Sequence, residues 1–164
     1  MKKLYIVGGA MGVGKTSVCQ QLKRDLPNSV FLDGDWCWDA HPFQVTEETK
    51  RMVVDNIVYL LNNFLKCAAY DNVIFCWVMH QQEIIDSIVS RLETQNCEVK
   101  TISLIADEAS LSKRIRGDIQ KGVRRPEDIQ RSVDRLPLYR CLNTIKVDTC
   151  GRSIQQVADA IRAL

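Results

Sequence analysis

Short apolar runs and longer stretches of helical period alternate along the 164-residue chain. Leu4–Val7, Val30–Leu32, Val73–Val78, Val99–Ile105 and Ile145–Val147 are β-branched or aromatic runs, each closed by a turn or polar residue, and each predicts a strand. Between them Val53, Ile57, Leu60, Leu61 and Phe64 recur at three- and four-residue spacing, as do Ile84, Ile85, Ile88 and Leu92, and then Ile154, Val157, Ala158 and Ile161. Thr46 ahead of Glu48 and Thr49 reads as a helix start, and Asp107–Glu108 opens another helix after the fourth strand. Strict alternation of strand and helix predicts an α/β three-layer sandwich, a five-stranded parallel sheet with helices on both faces. Functional groups should then gather at the C-terminal ends of the strands. No repeat or linker breaks the pattern, so residues 1–164 read as one domain. It loosens only in "RGDIQKGVRRP", Arg116–Pro126, where glycine and charge replace periodic apolar residues; this predicts a mobile segment over the active face.

The first strand runs into "GGAMGVGKTS", Gly8–Ser17, and a helical pattern follows. Gly9, Gly14, Lys15 and Thr16 satisfy G-x-x-x-x-G-K-[ST] in its required strand-to-helix context. Glycines let the backbone N–H groups of Gly9, Ala10, Met11, Gly12, Val13 and Gly14 turn inward on phosphate oxygens, with Ser17 in the first turn of the helix. The helix N-terminus adds positive partial charge, Lys15 is placed for β- and γ-phosphates, and the Thr16 hydroxyl suits Mg²⁺. The predicted cofactors are therefore ATP and Mg²⁺. GTPases are excluded by the lack of an Asn-Lys-x-Asp base-reading element, and large mechanical ATPases by length.

Charge narrows the partners. The net charge is only +2, which argues against a general nucleic-acid-binding surface. Nine Lys/Arg against four acids are nevertheless concentrated in Leu111–Arg140. Seven cysteines with no Cys-x-x-Cys pair read as reduced thiols, Cys19, Cys67, Cys76 and Cys97 simply packing. The apolar stretch at the N-terminus is too short for a signal or a membrane span. The expected setting is the cytoplasm, with a small-molecule substrate and no membrane; a homodimer is compatible with all of this.

After the second strand, "VFLDGDWCWDAHP" sends Asp33 and Asp35 off a strand expected to neighbour the cradle. One carboxylate suits Mg²⁺ held through water and the other suits the proton of an attacking hydroxyl, with the order open. An Asp-Gly turn serving only its own backbone is the alternative. Trp36 and Trp38 are placed either to wall a substrate pocket or to plug a gap between helices. His41 and His80 are candidates for contact with substrate hydroxyls. The third strand ends in "FCWVMH" with no acid to hold metal-bound water, which leaves the carboxylate work to Asp33 and Asp35.

"LDGD" followed by "HP" resembles the gluconate kinases, and "LDGD" alone is similar to the adenylylsulfate kinases. The layout through the long helix and "NVIFCWVMHQQEIID" resembles gluconate kinases too, although "WCWDA" lengthens the spacing before His41. "RIRGDIQKGVRRPEDIQRSVDRLPLY", Arg114–Tyr139, resembles the lid of adenylate-kinase-like enzymes. Arg114, Ile115 and Gly117 match its first element, Arg124 or Arg125 its lid arginine, and Arg135, Leu136 and Tyr139 its closing element, while Asp118 stands where that family has arginine. The resemblance implies a phosphate-loop kinase fold with a helical, arginine-rich lid at about residues 114–135. It implies Arg114 stacked on adenine, Arg124, Arg125 and Arg135 reaching phosphates, and backbone of Thr149–Arg152 against the base. No Gly-x-Pro-Arg element follows the third strand, which weighs against a nucleotide acceptor.

Together these expectations describe a kinase that transfers the γ-phosphoryl of Mg·ATP to a hydroxyl of a small metabolite, a sugar acid favoured. The proposed catalytic set is Lys15, Asp33, Asp35, Arg124, Arg125 and Arg135; Thr16 and Asp33 face the metal, and Asp35, Trp36, Trp38, His41 and His80 face the substrate. A nucleoside or nucleotide kinase and an antibiotic phosphotransferase are the alternatives within the enzyme class. An ATP-binding regulatory module is the alternative outside it.

Overall fold

The computed structural model describes residues 1–164. Its strands are β1 (Lys2–Gly9), β2 (Ser29–Asp33), β3 (Asn72–Cys76), β4 (Cys97–Ile105) and β5 (Ile145–Asp148). All pair in parallel, in the order β2-β3-β1-β4-β5. β3 is buried throughout and β1 over its last six residues, the continuous apolar pattern of strands covered on both faces. Six helices join and cover them: α1 (Lys15–Asp25), α2 (Glu47–Lys66), α3 (Gln82–Val89), α4 (Glu108–Gln120), α5 (Glu127–Cys141) and α6 (Ile154–Arg162).

The helix boundaries follow local chemistry. Thr46 caps α2 and exchanges reciprocal hydrogen bonds with Thr49. The Asp107 carboxylate caps α4 by accepting from Ser110 N at 2.6 Å. α1 and α6 pack on each other, while α5 lies against β4 and β1. Right-handed crossovers from a central β1 require helices on both sides of the sheet. One core of 35 buried residues joins the layers, with Leu4, Ile6, Phe75, Ile57, Leu61 and Ile102 among its fully covered side chains.

Two expectations change here. β2 does not pair with β1, the strand that carries the cradle: it is the edge strand and pairs only with β3, so it reaches the cradle only through the side chain at its end. Strand order is a non-local property, and a run of apolar residues carries no trace of it. The segment Arg116–Pro126 is also less irregular than its composition implies. α4 continues to Gln120, because Ile115 is buried against the phosphate loop and Ile119 packs against the core, and this outweighs the helix penalty of Gly117. Only residues 121–126 form the connection to α5.

Candidate active site

Connections after β1 and β3 leave in opposite directions along the sheet, so a crevice opens at their C-terminal ends. The loop after β1 occupies it. Gly12 has φ +83°, and a Cβ there would meet Ile115 Cγ1 of α4 at 2.6 Å, so only glycine lets α4 close on the loop. Gly14, also at positive φ, begins α1 without any side-chain cap, leaving the first amides of the helix directed at the cleft. Lys15 Nζ donates to Gly9 O at 2.8 Å and to Ala10 O at 3.0 Å, which lays the ammonium across the loop. Burial pushes that ammonium below its ordinary pKa; the Cys76 sulfur, Asp35 and Asp33 act to raise it, and Arg124 lowers it further.

The cradle is tied to β2 by one short bond. Thr16 Oγ1, in the first turn of α1, donates to Asp33 Oδ2 at 2.8 Å. Asp33 is only 5% exposed, and its other oxygen, Oδ1, accepts from Asp35 N at 3.1 Å, capping a 3₁₀ turn over Gly34–Cys37. Both carboxylate oxygens are thus engaged. Asp35 leaves the same turn with its carboxyl held above the usual range by desolvation and then by the charge of Asp33; Lys15, a Trp77 hydrogen bond and Arg124 act the other way. Trp77 follows β3 and covers Gly34 so closely that a Cβ there would overlap its ring. Trp77 was invisible as a site residue from sequence, where an indole at a strand end reads as core. Beneath the loop, Cys19 of α1 and Cys76 of β3 are fully buried in contact, and the Cys76 thiol is pushed far up by that contact and by burial, as fits packing rather than reactive thiols.

Beyond the cradle a cleft of about 340 Å³ lies between α4 and the β5–α6 loop. Residues Gly12–Val18 form its floor, and Arg114, Asp118, Arg124, Thr149 and Arg152 are among its walls. Arg114 donates to Val13 O at 3.1 Å, to Thr149 Oγ1 at 2.9 Å and to Thr149 O at 2.8 Å, bracing the loop against the end of β5. Arg124 Nε donates to Asp118 Oδ2 at 2.9 Å. Arg125 is exposed outside the cleft, where its backbone N–H donates to Asp128.

The remaining substrate candidates do not line that cleft. Trp36 is 59% exposed and meets Phe31 edge-on at 5.4 Å; Trp38 is half-buried against Phe43 at 4.6 Å, and His41 is exposed. His80 and Arg135 come together from the β3–α3 loop and α5. His80 titrates below its ordinary value, through desolvation first and the Arg135 charge second. His80 Nδ1, Ser132 Oγ and Tyr139 Oη are buried without a hydrogen-bond partner. No group of three or more His, Cys, Asp or Glu side chains is placed to hold a metal ion. No helix is long and apolar enough to cross a membrane.

A five-stranded parallel sheet with a glycine loop and lysine at the end of its central strand is the phosphate-loop kinase architecture. Residues 6–133 match the family described as "AAA domain", and the chain belongs to that family. Its fold is similar to a gluconokinase from Sinorhizobium meliloti 1021, with a TM-score of 0.71 and 17% identity, covering 98% of this chain and 90% of that one. It is similar to a tunicamycin resistance protein of Deinococcus radiodurans, with a TM-score of 0.72, 22% identity and coverage of 99% and 95%. A shikimate kinase from Acinetobacter baumannii in complex with shikimate gives a TM-score of 0.62, 20% identity and coverage of 99% and 91%. No curated protein matches the sequence at a significant level. The resemblance to small phosphate-loop kinases therefore holds at the level of the fold, which implies nucleotide binding.

Proposed function

We propose that this protein is an Mg·ATP-dependent kinase that transfers the γ-phosphoryl group to a hydroxyl of a small metabolite, a sugar-acid-like acceptor favoured. The observation that carries the reading is the 2.8 Å bond from Thr16 to Asp33, which joins the phosphate cradle to the turn bearing Asp35. A cradle that only grips nucleotide has no use for a second carboxylate one turn further on.

The residues fit the nucleotide and its metal. Glycines leave room where a Cβ would collide, Lys15 presents its ammonium across the loop, and Thr16 and Asp33 supply the hard oxygen donors Mg²⁺ prefers. Thr16 and Asp33 would hold Mg²⁺, which would supply positive charge to offset that of the transferring phosphoryl group. Lys15 and the loop amides hold the phosphates, and Arg114 keeps the loop braced against the β5 end. Asp33, occupied at both oxygens, orients Thr16 and faces the metal. Asp35, free of that duty, accepts the proton as the acceptor hydroxyl attacks. The Arg124 guanidinium stabilises charge on the phosphoryl in flight and, with the α4–α5 connection, keeps water from competing. His80, Arg135 and the Trp36–His41 segment bind the acceptor.

A second reading rests on the aromatic wall. Trp38 packed at a tilt against Phe43, and Trp36 exposed beside Asp35, favour an acceptor carrying a planar or apolar ring, as in a nucleoside or a hydroxylated antibiotic. ADP formation from Mg·ATP, measured against sugar acids, sugars, nucleosides, nucleotides and hydroxylated antibiotics, separates the two. Acceptor-dependent ADP from one class names the substrate. Tight ATP binding with no acceptor-dependent turnover would favour a regulatory nucleotide-binding module instead.

A further inference from the structure

Of the nine Lys/Arg in Leu111–Arg140, only Arg114 and Arg124 line the nucleotide cleft. Arg114 is committed to Val13 and Thr149. Arg124 is the one left for phosphate, and it sits in an otherwise exposed connection: Lys121, Gly122, Val123, Arg125 and Pro126 are all exposed, whereas the Arg124 side chain is only 25% so. A single residue accounts for that difference. Asp118, in the last turn of α4, accepts from Val123 N at 2.9 Å through its main-chain oxygen and from Arg124 Nε at 2.9 Å through its carboxylate. Main chain and side chain of one residue thus fix both the course of the connection and the direction of its arginine.

A carboxylate lining a cleft built for a polyphosphate is unfavourable unless it serves a cation. Binding at Nε uses one of the five guanidinium donors and leaves the paired terminal nitrogens, the fork that matches phosphate oxygens. The guanidinium lies near enough to Lys15 and Asp35 for its charge to act on both. In the lids that this segment resembles, the position of Asp118 carries arginine, so the pairing is a feature of this chain.

We propose that Asp118 is a positioning residue, which holds Arg124 over the phosphate loop with its terminal nitrogens turned to the transferring phosphoryl group. The inference rests on the kinase reading. An opposite role is physically distinct: an Asp118 that competes with phosphate for Arg124 would restrain the enzyme, and its removal would strengthen binding.

The test compares the affinity of Mg·ADP alone with that of Mg·ADP plus aluminium fluoride, a mimic of the phosphoryl group in transfer, by calorimetry. The proteins are the wild type, Asp118→Ala, Asp118→Glu, Arg124→Ala and the Asp118→Ala/Arg124→Ala double variant, each first shown to melt like the wild type. The wild type is expected to gain at least about 10-fold in affinity from aluminium fluoride, since transition-state mimics bind more tightly than ground-state ligands. Asp118→Ala should lose most of that gain while its affinity for Mg·ADP stays within about 3-fold, and Asp118→Glu should keep most of it. The double variant should lose no more than Arg124→Ala alone, the signature of two residues acting as one unit. Retention of the gain by Asp118→Ala, a larger gain, or additive losses in the double variant would overturn the inference while leaving the kinase reading intact. A wild type that binds Mg·ADP with no gain from aluminium fluoride would remove the kinase reading and this inference together.

Discussion

The two sides of Asp35 are built differently. On the nucleotide side the groups at the loop are partnered within the chain: Lys15 on Gly9 and Ala10, Thr16 on Asp33, Arg114 on Val13 and Thr149, Arg124 on Asp118. On the side proposed for the acceptor, a guanidinium is left unpaired and aromatic rings stand in solvent. Trp36 and Phe43 are each 59% exposed, and Arg135 has no ion pair. The first side is organised before any ligand arrives, as suits a ligand common to many proteins. On the second, the exposed rings of Trp36 and Phe43 and the unpaired Arg135 guanidinium are the groups the proposed acceptor would meet.

The contrast is sharpest at Lys15. Lys15→Ala should reduce acceptor-dependent ADP formation by about 10²–10³-fold with little change in melting temperature, since it removes one charge-stabilising donor from a loop held by its own backbone. If turnover falls no further than it does for an acceptor-side variant, the division of labour is mistaken. Gly34 joins the two sides. Gly34→Ala forces the Trp77 ring off its seat at a cost of about 1–3 kcal/mol, and chemical denaturation should show it as a lower midpoint at unchanged slope. Trp36→Ala should leave stability within about 0.5 kcal/mol, as an exposed side chain does, while raising the KM for acceptor and sparing that for ATP. An unchanged acceptor KM would move the acceptor away from this turn.

The smallest effect is that of pH. Folded His80 titrates below its ordinary value of 6.5, so the unfolded chain takes up a proton at higher pH than the folded one does. Stability contributed by keeping His80 neutral is present above that value and is lost as pH falls through it. Melting temperatures between pH 7 and 5 should therefore drop less for His80→Gln than for the wild type. Equal drops would mean that burial of His80 costs nothing.

The same division explains what could be read from the sequence. Gly9, Gly14, Lys15 and Thr16 were legible because a backbone cradle is encoded by adjacent residues; Asp33 and Asp35 alone read as readily as an Asp-Gly turn and became candidates only beside that cradle. The strand alternation was legible for the same local reason. The edge position of β2 was not, since pairing order depends on contacts far apart in the chain. Nor could sequence choose between Arg124 and Arg125 for the cleft: side by side in a connection, they are separated only by which one meets Asp118 on the preceding helix. Trp77 stayed hidden within an apolar run, and its partner Gly34 looked like any turn glycine.

The central claim is transfer of the γ-phosphoryl group to a hydroxyl placed at Asp35. Phosphorus NMR of a reaction with Mg·ATP and the acceptor selected by the ADP panel tests it most directly. The account predicts a new phosphomonoester on the acceptor, formed one for one with ADP and absent with Lys15→Ala. Inorganic phosphate alone, with the acceptor unchanged, would contradict it.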